Sequence, residues 1–317
     1  MNKFFILQIS LTFLSVYLVI PNASFSSLDL EKENIIVGPD NNTKLKVVTS
    51  FYPLYEFTKA VGGEKIDLTT LIPFGVEPHD WEPSPQKISE LQNADLIIYN
   101  GIGFDSWLKD SIDNSKLVDV SDGVHLIELK QEDKGSTNVK SSFDPHIWLD
   151  PMIAKNISKS ISSYLIKLDP ANSDYYKQNT NQFAEQLDLL DNQIKKSLSD
   201  CKLNEFISFH EAFQYLANRY GLTQYSVQGL SPEGEILPQQ ISKIISLAKN
   251  LNITTIYSED LKDPRLAEIL ASEIPNGNVL LLSPIEGIDK VEQENNVSYI
   301  DKMKTNIDNL AIGLGCT

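Results

Sequence analysis

Four histidines are all that this 317-residue chain contains, and three of them stand in the same kind of place. His79 lies in "GVEPHDWEPSP" and His146 in "FDPHIWLDP", each framed by prolines; His210 closes the apolar run "FISFH" just ahead of a helix-like segment. His125, in "DGVHLIEL", lacks such framing. Proline removes a backbone donor and fixes φ, so His79 and His146 are excluded from helix interiors and are expected on stiff turns, His79 on an exposed loop. Three neutral imidazoles brought together would make a nitrogen-rich site. Zn²⁺ favours such donors in tetrahedral geometry with a fourth ligand, whereas Mn²⁺ favours more oxygen. Candidate carboxylates end later strand-like runs: Glu259 after "ITTIYS" and Glu286 in "LLLSPIEGI". The residues alone also permit a catalytic histidine with unrelated companions, or three independent loop residues.

The elements that must position these side chains alternate. "KLKVVTS", "IDLTTLI", "DLIIYNG" and "KLVDVSD" read as strands, separated by helical patterns in "YPLYEFTKAVGG", "SPQKISELQNA" and "FDSWLKDSI". Alternation of this kind predicts a parallel sheet covered by helices. From Asn172 to Ser199 the pattern becomes one long helix: Tyr176, Phe183, Leu187, Leu190 and Ile194 recur mostly at three and four, Ser173 is placed as N-cap, and Lys195 and Lys196 suit the C-terminal dipole. Such a helix would span about 40 Å at 1.5 Å per residue and act as a rigid connector. Alternation then resumes with "FISFH", "TQYSVQG", "ITTIYSE" and "NVLLLSP" as strands and a final helix from "SYIDKMK" onward. The expected fold is two Rossmann-like α/β lobes with parallel sheets: residues 45–171, a connecting helix at 172–200, and residues 201–317. In open parallel sheets ligands bind beyond the strand ends, which is where the three histidines fall.

The N-terminus reads as an export signal or N-terminal anchor over residues 1–24: Lys3 precedes an apolar run from Phe4 to Ile20, then Pro21 and small residues. An uncleaved anchor is the alternative to cleavage, and no cysteine near the run's end offers a lipid-attachment thiol. Residues 25–44 are expected to be a flexible tether and 128–143 a polar surface loop. In an exported chain the two cysteines, Cys201 and Cys316, are expected to form a disulfide. A net charge of −16 argues against nucleic acid as a partner and is consistent with a cationic ligand.

At these residues the chain resembles the zinc- and manganese-binding receptors of ABC-type metal importers. Seven stretches carry the resemblance, in order: "FYPLYEFTKAVGGEK", "GVEPHDWEPSPQKISELQNADLIIYNG", "DPHIWLDP", "FISFHEAFQYLANRYGL", "GLSPEGEILPQQI", "YSEDLKDPRLAEILASEI" and "LLLSPIEGI". The resemblance covers residues of roughly 45–312. It implies two α/β lobes on one long helix, with His79, His146 and His210 as ligands of a transported Zn²⁺. Manganese receptors of the family often have a carboxylate at the third position, so His210 points to the zinc-type branch. The implied partners are the membrane permease and ATPase subunits of an importer, with the protein a monomer on the outer side of the membrane or in the periplasm.

Two departures from the family pattern matter. Part of the family has an aspartate ligand where this chain has Ser283, a neutral hydroxyl expected to contribute little. Glu286 matches the glutamate of an "NPLE"-like motif and is the expected fourth ligand, with Pro284 stiffening its turn and Gly287 letting it bend; Glu259 and then water stand behind it. The neighbours Asp260 and Asp263 suggest a solvated or helix-starting role for Glu259. Second, some zinc receptors carry a His-rich loop before the second histidine; "KQEDKGSTNVKSS" has none, so no metal-collecting role is expected there. Three readings compete: a non-enzymatic metal receptor for Zn²⁺ or Mn²⁺, a zinc hydrolase with water in the fourth position, and a surface adhesin on the same scaffold. A carboxylate that closes the tetrahedron separates the first from the second.

Overall fold

Eight short strands and ten helices follow one another in the computed structural model, which describes residues 44–129, 142–230 and 236–317. The first half contains β1 (Leu45–Thr49), α1 (Tyr52–Gly62), β2 (Ile66–Thr70), α2 (Pro85–Leu91), β3 (Leu96–Tyr99), α3 (Leu108–Ser111), β4 (Leu117–Asp119), α4 (Pro151–Leu168) and α5 (Ser173–Ser197). The second contains β5 (Glu205–Ser208), α6 (Gln214–Tyr220), β6 (Thr223–Ser226), α7 (Pro238–Leu251), β7 (Thr255–Ser258), α8 (Arg265–Ser272), β8 (Asn278–Leu281), α9 (Lys290–Glu294) and α10 (Tyr299–Leu314). The expected export segment, the tether up to Thr43 and most of the 128–143 loop lie outside the described residues.

The strands form two all-parallel sheets with the same order, β2-β1-β3-β4 and β6-β5-β7-β8. Each chain path starts in the middle, moves one strand outward, then crosses back. The reversal lies between β1 and β3 in one sheet and between β5 and β7 in the other, and ligands of open α/β sheets bind at this point. The two-lobe expectation therefore holds.

Burial explains why so little strand suffices. β3 (Leu-Ile-Ile-Tyr) and β7 (Thr-Ile-Tyr-Ser) are buried along their whole length, as parallel strands covered on both faces must be. One apolar core runs from the inner face of the first sheet (Val47, Ile98) through α1, α4 and α5 to Phe206, Tyr257 and α10. Each outer face has its own smaller core: Leu71, Leu91, Ile97 and Leu108 in the first lobe, and Ile207, Ile244, Ala248, Ile256 and Leu270 in the second.

The long helix has 25 residues, and Tyr176, Phe183, Leu187, Leu190 and Ile194 all face inward as their spacing predicts. Its start differs from expectation. A turn over Pro170–Asn172 leads in, Asn172 occupies the N-cap, and Ser173 is already helical, so Ser173 is not the cap. "FDSWLKDSI" is also not one helix but a tight turn at Gly103–Asp105 followed by the single turn of α3. The sequence reading passed over α4, although its signals are present. Asp150 caps it by accepting from the N–H groups of Met152 and Ile153, Pro151 opens it, and Ala154, Ile157, Ile161 and Leu165 form one buried stripe.

The long helix is not the only link between lobes. Tyr52 Oη donates to Val297 O at 2.8 Å, Phe57 and Tyr299 meet edge to face at 4.8 Å, and Tyr299 Oη donates to Trp148 O at 2.7 Å. Cys201, before β5, is disulfide-bonded to Cys316, after α10.

Candidate metal centre

Each of the four predicted side chains follows a strand end. His79 lies nine residues beyond β2 on a tight turn, Pro78–Asp80, whose first residue is proline; the Glu77 carboxylate caps that turn by accepting from His79 N at 3.4 Å. His146 ends the long excursion after β4, where Pro145 is held by Asn100 Nδ2 donating to its carbonyl at 2.9 Å. His210 stands two residues past β5, at the point where strand order reverses. Glu286 lies five residues past β8.

These four come together. One ligand atom from each of His79, His146, His210 and Glu286 can be chosen so that all lie within 4.8 Å of one another. Glu286 Oε1 is 3.2 Å from His79 Nε2, 3.2 Å from His146 Nε2 and 3.7 Å from His210 Nε2, and the last two nitrogens are 3.4 Å apart. Donors about 2.0–2.1 Å from a tetrahedral ion stand about 3.3–3.4 Å from each other. These four edges lie within a few tenths of an ångström of that value. Glu286 Oε2 is buried and receives no hydrogen bond, a costly arrangement for a carboxylate unless a cation lies near.

His146, His210 and Glu286 are all buried, and the His79 imidazole, expected on an exposed loop, keeps only 8% of its surface. His125 is exposed and is not among the grouped ligands.

Two of the imidazoles are gripped from behind by the same device. One Asp144 oxygen accepts from His146 N at 2.9 Å and meets His146 Nδ1 at 2.7 Å. One Glu259 oxygen accepts from His210 N at 2.8 Å and meets His210 Nδ1 at 2.6 Å. A carboxylate on Nδ1 fixes the ring and turns Nε2 toward the centre. Glu259 is thus neither solvated nor helix-starting: it is 6% exposed and meets His210 on Nδ1, while Nε2 is the atom that faces Glu286. Ser283 is also turned to other work, donating from Oγ to Asp260 Oδ2 at 2.6 Å.

The electrostatics follow. Burial pushes both deep imidazoles down, but Asp144 beside His146 and Glu259 beside His210, joined by Glu286, hold them above the ordinary histidine value. Burial would raise Glu286, but the three imidazoles hold it well below the usual carboxylate range. Glu77, near the same centre, is pushed up to about 9 by burial and by the charge of Glu286.

Three contributors escaped the sequence reading. Asp144 is two residues before His146, inside a motif already singled out. Trp148 donates its indole N–H to Pro284 O at 2.8 Å, tying the His146 loop to the Glu286 turn. The turn itself bends at Ile285, which has φ 58°, rather than at Gly287; a Cβ at Gly287 would stand 2.9 Å from Leu261 Cδ1, the movable tip of that side chain. Asp144 and Trp148 were legible as polar neighbours of His146; nothing local marks Ile285.

Residues 47–313 match a family described as zinc-uptake complex component A, periplasmic. A relative from Bacillus subtilis described as high-affinity zinc uptake system protein ZnuA is 39% identical over 277 residues, which cover 84% of this chain and 86% of the relative. Among solved structures, the metal-dependent lipoprotein YcdH of Bacillus subtilis aligns with TM-score 0.75 and 38% identity over 86% of this chain and 100% of that one. The laminin-binding protein Lmb of Streptococcus agalactiae, described as bifunctional with adhesin and metal-transporting activity, aligns with TM-score 0.76 and 30% identity over 86% of this chain and 100% of that one. A match of that extent, on a fold whose strand ends gather three imidazoles and a carboxylate, means that the chain belongs to the ZnuA family of zinc-uptake components.

Proposed function

We propose that this protein captures Zn²⁺ between its lobes with His79, His146, His210 and Glu286 and delivers it to the permease and ATPase subunits of an ABC importer. The observation that carries the reading is the spacing of the four ligand atoms, which fits one tetrahedral ion. Lobes at 45–171 and 201–317 on a connector at 172–200 are the units of this reading, and the protein works as an exported monomer on the outer side of the membrane or in the periplasm, anchored there if the N-terminal segment is retained. The carboxylate in the fourth position leaves no place for an activated water, so the protein is a receptor and not a hydrolase. Mn²⁺, which favours oxygen donors, is the weaker ligand. A second reading, adhesion, draws on the likeness to Lmb and is checked by binding to immobilised laminin.

The experiment is a competition titration of the purified protein against a zinc chelator, with Mn²⁺ alongside. One Zn²⁺ per chain is expected. His→Ala changes at 79, 146 or 210 should each weaken binding on the order of 100-fold, about a quarter of the free energy of a four-ligand zinc site. Unchanged affinity in all three variants would sink the proposal.

A further inference from the structure

Beside the His210 loop, two further loops of the second lobe bear on the site: residues 259–261 after β7 and 283–287 after β8. Asp260 stands in the first loop, between Glu259, which grips His210, and Leu261, which is left-handed at φ 62°. Its Oδ2 accepts from Ser283 Oγ at 2.6 Å and pairs with Lys302 Nζ at 2.5 Å. Lys302, on α10 and 4% exposed, is held in turn by Glu292 at 2.6 Å. The Ser283 hydroxyl also accepts from Ile285 N at 3.0 Å. Its backbone is clamped on both sides by Asn306: Ser283 N donates to Asn306 Oδ1 at 2.8 Å, and Asn306 Nδ2 donates to Ser283 O at 2.6 Å.

All of this converges on one turn. Ile285 is β-branched and left-handed, a conformation such residues avoid unless their surroundings impose it, and it immediately precedes Glu286. A hydroxyl has one proton to give and lone pairs to accept with, and here both kinds of bond are used within the turn and its anchor. None of these groups is a ligand, yet each bears on where the Glu286 carboxylate stands.

We propose that Ser283, anchored by Asp260 and Lys302, is a positioning residue: it locks the Pro284–Ile285 turn so that Glu286 is presented to the three imidazoles, and in doing so sets zinc affinity. This rests on the ligand reading given above, and it replaces the expectation that a neutral hydroxyl at 283 contributes little. Ser283→Ala removes both bonds at once: it leaves the Ile285 N–H without its hydroxyl acceptor and Asp260 Oδ2 with Lys302 alone.

The test is a zinc competition titration of four proteins: Ser283→Ala, Ser283→Thr, Glu286→Ala, and Glu286→Ala with Ser283→Ala, each checked for folding by circular dichroism. Ser283→Ala should weaken zinc about tenfold or more, the range for partners that orient metal ligands. Ser283→Thr, which keeps the hydroxyl, should restore affinity. With Glu286 already removed, Ser283→Ala should cost nothing further, because there is no carboxylate left to position. Wild-type affinity in Ser283→Ala, or an equal loss in both backgrounds, would overturn the inference while leaving Glu286 a ligand. Wild-type affinity in Glu286→Ala alone would overturn the ligand assignment itself, and this inference with it.

Discussion

The two lobes solve one problem in two ways. Each must hold a buried imidazole with Nε2 pointing at the centre, and each does so with a single carboxylate oxygen that meets both the backbone N–H and Nδ1 of its histidine. In the first lobe the carboxylate is Asp144, two residues from His146 in the same turn. In the second it is Glu259, 49 residues from His210 and on the end of the neighbouring strand β7. The local version moves with its histidine as a unit. The distant version also ties two strand ends together, so it serves the sheet as well as the site. The lobes differ again in closure: the second is bound end to end by Cys201–Cys316, and Leu203 N donates to Leu314 O beside it.

That difference can be broken experimentally. The largest effect should come from the disulfide. Its loop is long, with a sequence separation of 115, and the chain-entropy account allows up to about 4–5 kcal/mol. Replacing both cysteines with serine should lower the melting temperature sharply while zinc affinity stays put, since neither cysteine is near the ligands. A parallel loss of affinity would show that lobe closure and the site are coupled.

Next in size are the two orienting carboxylates. Asp144→Asn and Glu259→Gln should each weaken zinc by about 10–100-fold. Only Glu259→Gln should also lower the melting temperature of the zinc-free protein clearly, because only Glu259 bridges two strands. Equal destabilisation by calorimetry would erase the distinction drawn between them.

The smallest effect is a slope with pH. In the zinc-free protein His146 and His210 are held above the ordinary value near 6.5 by their carboxylates. Their ion pairs therefore stabilise fully below about 6.5, and that contribution fades as pH rises through the raised values. Zinc needs neutral imidazoles, so it displaces those protons, and its affinity should rise with pH across the same window. Calorimetric titration in buffers of different ionisation enthalpy should detect proton release near neutral pH; binding without release would contradict the raised values.

Much of this was legible before any coordinates. The parallel sheets followed from alternation, and the stripe on α5 from spacing by threes and fours. Proline framing showed that His79 and His146 sit on turns. What went unread has physical reasons. The helix α4 begins at Pro151, a residue that also ends the proline-framed turn around His146, so one feature served two elements. The N-cap of α5 is displaced to Asn172 because Pro170–Asn172 already winds into the helix.

By itself the sequence determined the donors: three imidazoles and two candidate carboxylates, each beyond a strand, in a chain whose alternation brings strand ends together. The motif around Glu286 put it ahead of Glu259 as the fourth donor, but nothing local to either acid says which side of an imidazole it reaches. The tertiary structure places the two carboxylates on different sides of the imidazoles, through register and backbone shape. β7 lies directly beside β5, so Glu259 arrives behind His210 and meets Nδ1. β8 lies one strand further out, and the left-handed turn at Ile285 swings Glu286 back across that gap to face Nε2. Which side of an imidazole a carboxylate reaches depends on the path of backbone hundreds of atoms away along the chain, and no local pattern records it.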